Sequence, residues 1–285
     1  VGADERRAPV LSGVLETARA DFAALVPASV GVLRRGGLAA LAASAIMVPA
    51  AALVLGGAVF LTDTPLLRNE PRLSLLLFSA AVVVGCTLAS SGPLAAFGFA
   101  AVGRRPTVGE TLARAFSRAP RIALLGLVNA AFSAITLLAA VIFGGCLAAF
   151  AAEAGFVVVA VALSLALATI YTRTFVVQAV AVMVDPHDYL VGIERARTLG
   201  EGHTPLLLVC ALLPAAIPFI ARPGELGVDA MQHAFGLGGV RQLTVVVAFA
   251  GAFLTLLAAA GLAASAYAVL IGSPDLENPT ASDPG

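Results

Sequence analysis

This chain of 285 residues contains no lysine, no tryptophan and only three cysteines. All 17 basic residues are arginine, and 17 acidic residues balance them. A zero net charge with no acidic or basic block excludes a nucleic-acid surface and a solvating acidic tail. Charged residues make up 12% of the chain, about half the roughly 25% of soluble domains, which leaves little surface for water. Cys86, Cys146 and Cys210 each fall inside an apolar stretch and show no metal-ligand spacing. They are therefore expected to be inert packing thiols. A glycine-rich phosphate loop, a nucleophile elbow and an HExxH pattern are also missing. Ser and His are too scattered for a triad, so no catalytic residue, metal or cofactor is expected, and the chain reads as non-enzymatic. Arg in place of every Lys, with abundant Ala, Gly and Val, points to a prokaryotic genome rich in G and C.

What the chain has instead is apolar length. Hydrophobic residues make up 60% of it, and its mean hydropathy is +0.98. Stretches 38–61, 73–102, 122–152, 205–221 and 242–272 carry no charge, and 154–184 is interrupted only by Arg173. Crossing a hydrocarbon core of roughly 30 Å takes about 20 apolar helical residues. The fold expected is all-α: a polytopic membrane protein with six transmembrane helices. The first run begins near position 37, deeper than the apolar core of a signal peptide, so it is expected to be a span.

Arginine placement sets the threading. Alternate connecting segments hold 12 Arg against 4, with Arg173 left over. The richer side is expected to be cytoplasmic, which puts both termini inside. The chain then divides into a cytoplasmic amphipathic segment over 1–36, a six-span domain over 37–272 and a disordered tail over 273–285. A prokaryotic cytoplasmic membrane is the expected location. In the fourth stretch, Arg173 follows an 18-residue segment that starts at Gly155, about 27 Å at the helical rise. It is expected to anchor at the cytoplasmic headgroups beside Tyr171, with 175–184 an apolar extension beneath the bundle. A buried Arg173 lining a substrate path is the alternative.

The cytoplasmic segments repeat. Glu16-Thr-Ala-Arg-Ala-Asp-Phe22 parallels Glu110-Thr-Leu-Ala-Arg-Ala-Phe116, and Val108-Gly109 with Arg114 parallels Val191-Gly192 with Arg197. The predicted unit is an amphipathic cytoplasmic helix followed by a transmembrane hairpin, used three times. The helices are expected near 10–30, 106–118 and 187–200, lying along the membrane plane. Pro120 and Pro205 would mark the start of the following spans, where a missing N–H costs nothing. In the first helix Val10, Val14, Leu15, Phe22 and Leu25 share a face while Glu16, Arg19 and Asp21 point elsewhere. In the third, Leu190, Ile193 and Leu199 form the apolar face. Arg on such helices meets lipid phosphate.

From Thr174 to Leu213 the sequence reads TFVVQAVAVMVDPHDYLVGIERARTLGEGHTPLLLVCALL. An apolar run over 180–184, an acidic turn at Asp185 and an amphipathic helix through Ala196 and Arg197 precede a span. This layout, and the earlier helix and span over 108–125, resemble the glycerophosphodiester phosphodiesterase membrane-domain-like family of six-span integral membrane proteins. The likeness covers about residues 10–272. Thr198 stands where that group commonly has a Ser-aromatic pair. The resemblance implies a membrane scaffold with no reaction of its own. The phosphodiesterase chemistry belongs to a separate barrel, roughly 250 residues long, for which this chain has no room.

The segment with Asp185, His187, Asp188, Glu194, Glu201 and His203 holds the densest metal-ligand types. A helix between the two His would set them roughly 24 Å apart, so capping and interfacial roles are expected instead. Pro49, Pro93, Pro214 and Pro218 interrupt spans, as in transporters whose freed carbonyls bind ions. The spans nevertheless contain no Asp, Glu or Lys, which coupled carriers place inside. Small-residue rows on the sixth span (Ala260, Ala264, Ala268) and the third (Ala140, Gly144, Ala148) suit close helix packing. The expected function is a non-enzymatic scaffold or accessory protein acting through the lipid bilayer or a protein partner at the cytoplasmic face. A channel or carrier for a small neutral solute is the alternative. The candidate functional or interfacial residues are Arg173, Gln178, Asp185, Arg195 and Arg197.

Overall fold

The computed structural model describes residues 7–64, 70–148, 177–184, 189–214 and 240–272. Its first helix, α1, runs unbroken from Arg7 to Thr62, 56 residues or about 84 Å at the helical rise. Among the described residues every regular element is α-helical. The others are α2 (Pro71–Ala101), α3 (Val108–Ala148), α4 (Val177–Val184), α5 (Tyr189–Gly200), α6 (Thr204–Pro214) and α7 (Val240–Leu270). Three helical segments, Glu16–Thr62, Pro71–Ala101 and Ala250–Leu270, are long and apolar enough to cross a membrane.

The first two of the helices expected on the cytoplasmic side are therefore not separate elements. No break occurs in α1 between the amphipathic segment and the span, nor in α3 at Pro120. The reason lies on the helix faces. A proline frees the carbonyl four residues before it. Pro27, Pro49 and Pro120 are exposed, and so are Ala23, Ala45 and Phe116 four residues earlier. At these three the lost hydrogen bonds lie on the outer face; Pro93, expected to interrupt its span, is buried inside α2, which nevertheless runs through it unbroken. The packed seam on α1 is one stripe: Asp21, Leu25, Ala28, Val32, Gly36, Ala40, Ala43 and Met47 are buried in steps of three or four.

The start of α3 is fixed by a capping box. Glu110 N–H donates to the Thr107 hydroxyl oxygen at 3.2 Å, and Thr107 N–H donates to Glu110 Oε2 at 3.1 Å. Pro205, in contrast, does lie in the first turn of its helix, α6.

Helices α1 and α2 form an antiparallel pair. Gly36 lies against Ala96 and Ala100, Ala43 against Gly92, and Leu55 against Gly85. The Ser91 hydroxyl donates to Met47 Sδ at 3.4 Å within this seam. Val102 caps α2, and Gly103 follows at φ 82°, with Arg104 N–H donating to Phe99 O and Gly103 N–H to Ala100 O. This is the left-handed glycine ending that satisfies a helix's last carbonyls.

The core gathers at that same end of α2. Residues 91–101 of α2 and 177–183 of α4 are buried on every side, as are all of 260–268 in α7 except Leu262. A helix apolar all round is a buried helix. Ala260, Ala264 and Ala268 lie in this core, so the small-residue row on the last span is a packing surface. The buried faces of α1, α3, α5 and α6 close around these inner segments. The row on the third span has side chains outside the described set.

Large apolar side chains point outward along the rest of α1, α2 and α3. Leu38 is 86% exposed, Leu53 78% and Phe60 74%, and Leu75, Ile135 and Phe143 are exposed as well. Cys86 and Cys146 share this outer surface, so only Cys210 is the packing thiol expected.

Candidate functional site

Two features meet at the core end: a polar clamp and a cleft. The clamp begins at the joint between α5 and α6. Helix α5 ends at Gly200, and Gly202 takes φ 89°, a left-handed value that favours glycine. The chain turns there, and His203 O accepts the N–H of Leu207 as α6 begins. The His203 side chain then reaches across to α1, where Nδ1 lies 2.7 Å from Asp21 Oδ2. Asp21 is only 7% exposed. The expectation that Asp21 points away from the apolar face is thus corrected: it sits in phase with Leu25, Ala28 and Val32 because His203 partners it there. An unpaired carboxylate at that position would carry a large desolvation cost.

A second tie joins α3 to α4. Arg114 Nη2 donates to Val184 O at 3.2 Å, putting a cation at the end of α4, where the helix dipole favours it. Arg104 and Arg114 both stack on the Phe99 ring, at 5.0 and 5.7 Å from its centroid. Arg104 also approaches Glu110 at 3.7 Å, an exposed pair of little energetic weight. Thr107 holds the Glu110 carboxyl below its ordinary pKa, first through its backbone N–H and then through its hydroxyl.

The cleft, about 710 Å³, lies between α3, α4, α5 and α6. Leu125, Val128, Val177, Ile193 and Leu207 give it an apolar floor, and Gln178, Tyr189, Arg197, Glu201 and Thr204 supply polar groups. Gln178 is 7% exposed. Burial pushes the Tyr189 phenol above its ordinary pKa, so it stays a neutral donor. Helix α5 lies close on α4: a Cβ added at Gly192 would lie 3.8 Å from the Ala181 backbone. Its buried residues are Gly192 and Ala196, and Leu190 is exposed. The apolar face expected through Leu190 is corrected accordingly. Small residues permit the approach, while Ile193 and Leu199 pack at its flanks.

Of the five residues singled out from sequence, Gln178 and Arg197 come together in the cleft. Arg195 is exposed on the same helix and does not line it. Arg173 and Asp185 lie outside the described residues, as do the proposed cap at Asp185-Pro186 and the tail 273–285. Sequence reasoning passed over Asp21 and Tyr189, and weighed His203 and Glu201 only as metal ligands before setting them aside. The signal for Asp21 was present: an acid in register with an apolar stripe. His203 had no such signal, because its partner is 182 residues away. Comparison with family models, curated proteins and solved structures finds no match to this chain.

Proposed function

We propose that this chain is a six-span protein of a prokaryotic cytoplasmic membrane, with both termini cytoplasmic, acting as a non-enzymatic scaffold or accessory protein. It would work through lipids or a protein partner at the cytoplasmic face. The resemblance to the glycerophosphodiester phosphodiesterase membrane-domain group belongs to the same proposal. The observation that supports it best is the packing of the inner segments of α2, α4 and α7. These are buried on nearly every side by small and apolar residues. Within the uncharged stretches 38–61, 73–101 and 250–270 the buried polar side chains are Ser44, Thr87, Ser91 and Ser265, and α4 adds Gln178; none of these is an ionisable group. Coupled transport usually requires such groups inside the membrane. The charged side chains that are buried, Asp21 and Arg118, lie outside those uncharged stretches, in the parts of α1 and α3 that the Arg count assigns to the cytoplasmic side.

The carrier reading has one observation in its favour, the cleft with the buried amide of Gln178. Proteoliposomes separate the two. Flux of glycerol or urea no faster than in protein-free vesicles is expected for the scaffold. Faster flux that Gln178→Leu abolishes would replace it with a carrier. Threading is tested separately, by a reporter fused after Gly272, expected cytoplasmic, and one inserted near Gly227, expected external. An external reading after Gly272 would overturn both the orientation and the span number.

A further inference from the structure

We propose that the cleft is a binding site for a phospholipid whose headgroup carries a phosphate and a primary amine. The proposal rests on the membrane reading above and deepens it, since it names the lipid class.

Three polar side chains line the cleft without a partner among the described residues. Among the described residues, Tyr189, Arg197 and Glu201 form no hydrogen bond or ion pair through their side chains. Arg197 and Glu201 stand one helical turn apart, a spacing at which opposite charges often pair. Here they do not pair, and both border the same cavity. One offers a planar guanidinium that suits phosphate; the other offers a carboxylate that suits an ammonium. A zwitterionic head with both charges satisfies both groups at once. An anionic head without an amine leaves Glu201 facing a like charge. A quaternary amine cannot donate hydrogen bonds to it. The neutral Tyr189 hydroxyl supplies a further donor.

The apolar floor suits the rest of such a molecule. Leu125 and Val128 lie four and seven residues beyond Arg121 on α3, about 6–10 Å deeper along the helix. The floor continues onto outward-facing apolar residues on both sides. Leu124 and Leu127 are exposed on α3, and Val209, Leu212 and Leu213 on α6. An acyl chain can therefore leave the cleft along surface that already faces hydrocarbon. A volume of about 710 Å³ is of the size that small-molecule sites occupy, roughly 300–1,000 Å³. It takes the headgroup and the upper chain.

Native mass spectrometry of the full chain in detergent, offered phosphatidylethanolamine, phosphatidylcholine and phosphatidylglycerol with identical acyl chains, tests this. Phosphatidylethanolamine should be retained about tenfold better than either competitor. Arg197→Gln should lower that retention about tenfold, and Tyr189→Phe by about threefold. Glu201→Gln should erase the preference for the primary amine while leaving phosphatidylglycerol retention no lower. Arg105→Gln, at an exposed position outside the cleft, should change nothing. Equal retention of the three lipids by the native chain overturns the site. So does a loss on Arg105→Gln equal to that on Arg197→Gln, which would assign the lipid to the basic surface at large. Tyr189→Phe removes one oxygen, so a retained thermal midpoint with unchanged lipid retention counts against the site without ambiguity from misfolding. These outcomes are independent of solute flux: a leaky proteoliposome would overturn the scaffold and leave the retention result standing.

Discussion

The two ends of this molecule use apolar residues on opposite principles. Where 91–101 of α2, 177–183 of α4 and 260–268 of α7 meet, more than half of the residues are Ala, Gly or Ser, packed around Val, Met and the larger Leu94, Phe97, Phe99 and Tyr267. At the other end of α1 and α2, and along the far part of α3, Leu, Phe, Val and Ile point away from the protein. Apolar surface exposed on that scale would not remain dispersed in water. Hydropathy therefore serves two purposes here. Small residues let helices approach, where lipid tails provide no hydrophobic drive for helix association. Large ones match the hydrocarbon.

Substitution at the outward end should break the comparison most sharply. Leu53→Arg, at a position 78% exposed, would be nearly neutral on a water-facing helix. In a bilayer centre it should cost about 3 kcal/mol or more of insertion free energy. A reporter assay of α1 insertion measures this; unchanged insertion would remove α1 from the membrane.

Next in size comes the packed end. A methyl added to Gly36 would meet Ala96 O and Ala100 Cβ at 3.0 Å, while none of the surroundings of Gly56 lies within 4 Å. Gly36→Leu should destabilise the α1–α2 pair by about 2–3 kcal/mol, read as a lowered thermal midpoint in detergent. Gly56→Leu should leave the midpoint nearly unchanged. Equal effects would show that the seam is not closely packed.

The clamp should have a smaller effect, and a more local one. Asp21→Ala and His203→Ala should each cost about 1–2 kcal/mol, and the double variant should cost less than their sum by about 1 kcal/mol. Additive losses would mean that the 2.7 Å contact contributes nothing. The accompanying change should be faster amide exchange near Leu206 and Leu207, because the α5–α6 joint is what the clamp holds.

Smallest is the capping box of α3. Thr107→Ala should weaken the first turn by about 1 kcal/mol. The Glu110 carboxyl is held below its ordinary value by Thr107, so its contribution is present above the unfolded carboxyl's pKa. It is lost as pH falls through the lowered one. Amide protection over 108–111 should therefore drop at acidic pH, and Glu110→Gln should flatten that pH dependence. Identical acid sensitivity in the variant would remove the box from the account.

How much of this was legible in the sequence follows from the range of the forces involved. Charge-free length is a local property, so the helical class, the apolar stretches and the small-residue row at Ala260, Ala264 and Ala268 could be read directly. Reading Pro120 as a helix start failed because proline alone does not end a helix. Helices α1, α2 and α3 continue through exposed Pro27, Pro49 and Pro120 and through buried Pro93 alike, held by packing against neighbouring helices. Asp21 was misassigned for the same reason: an acid on an apolar stripe reads as an exception until its partner is known. The sequence by itself determined which residues avoid water. Only the tertiary structure decided which of them face protein and which face outward, and brought Asp21 to His203 and Arg197 to Gln178, because those choices depend on contacts between segments far apart in the chain.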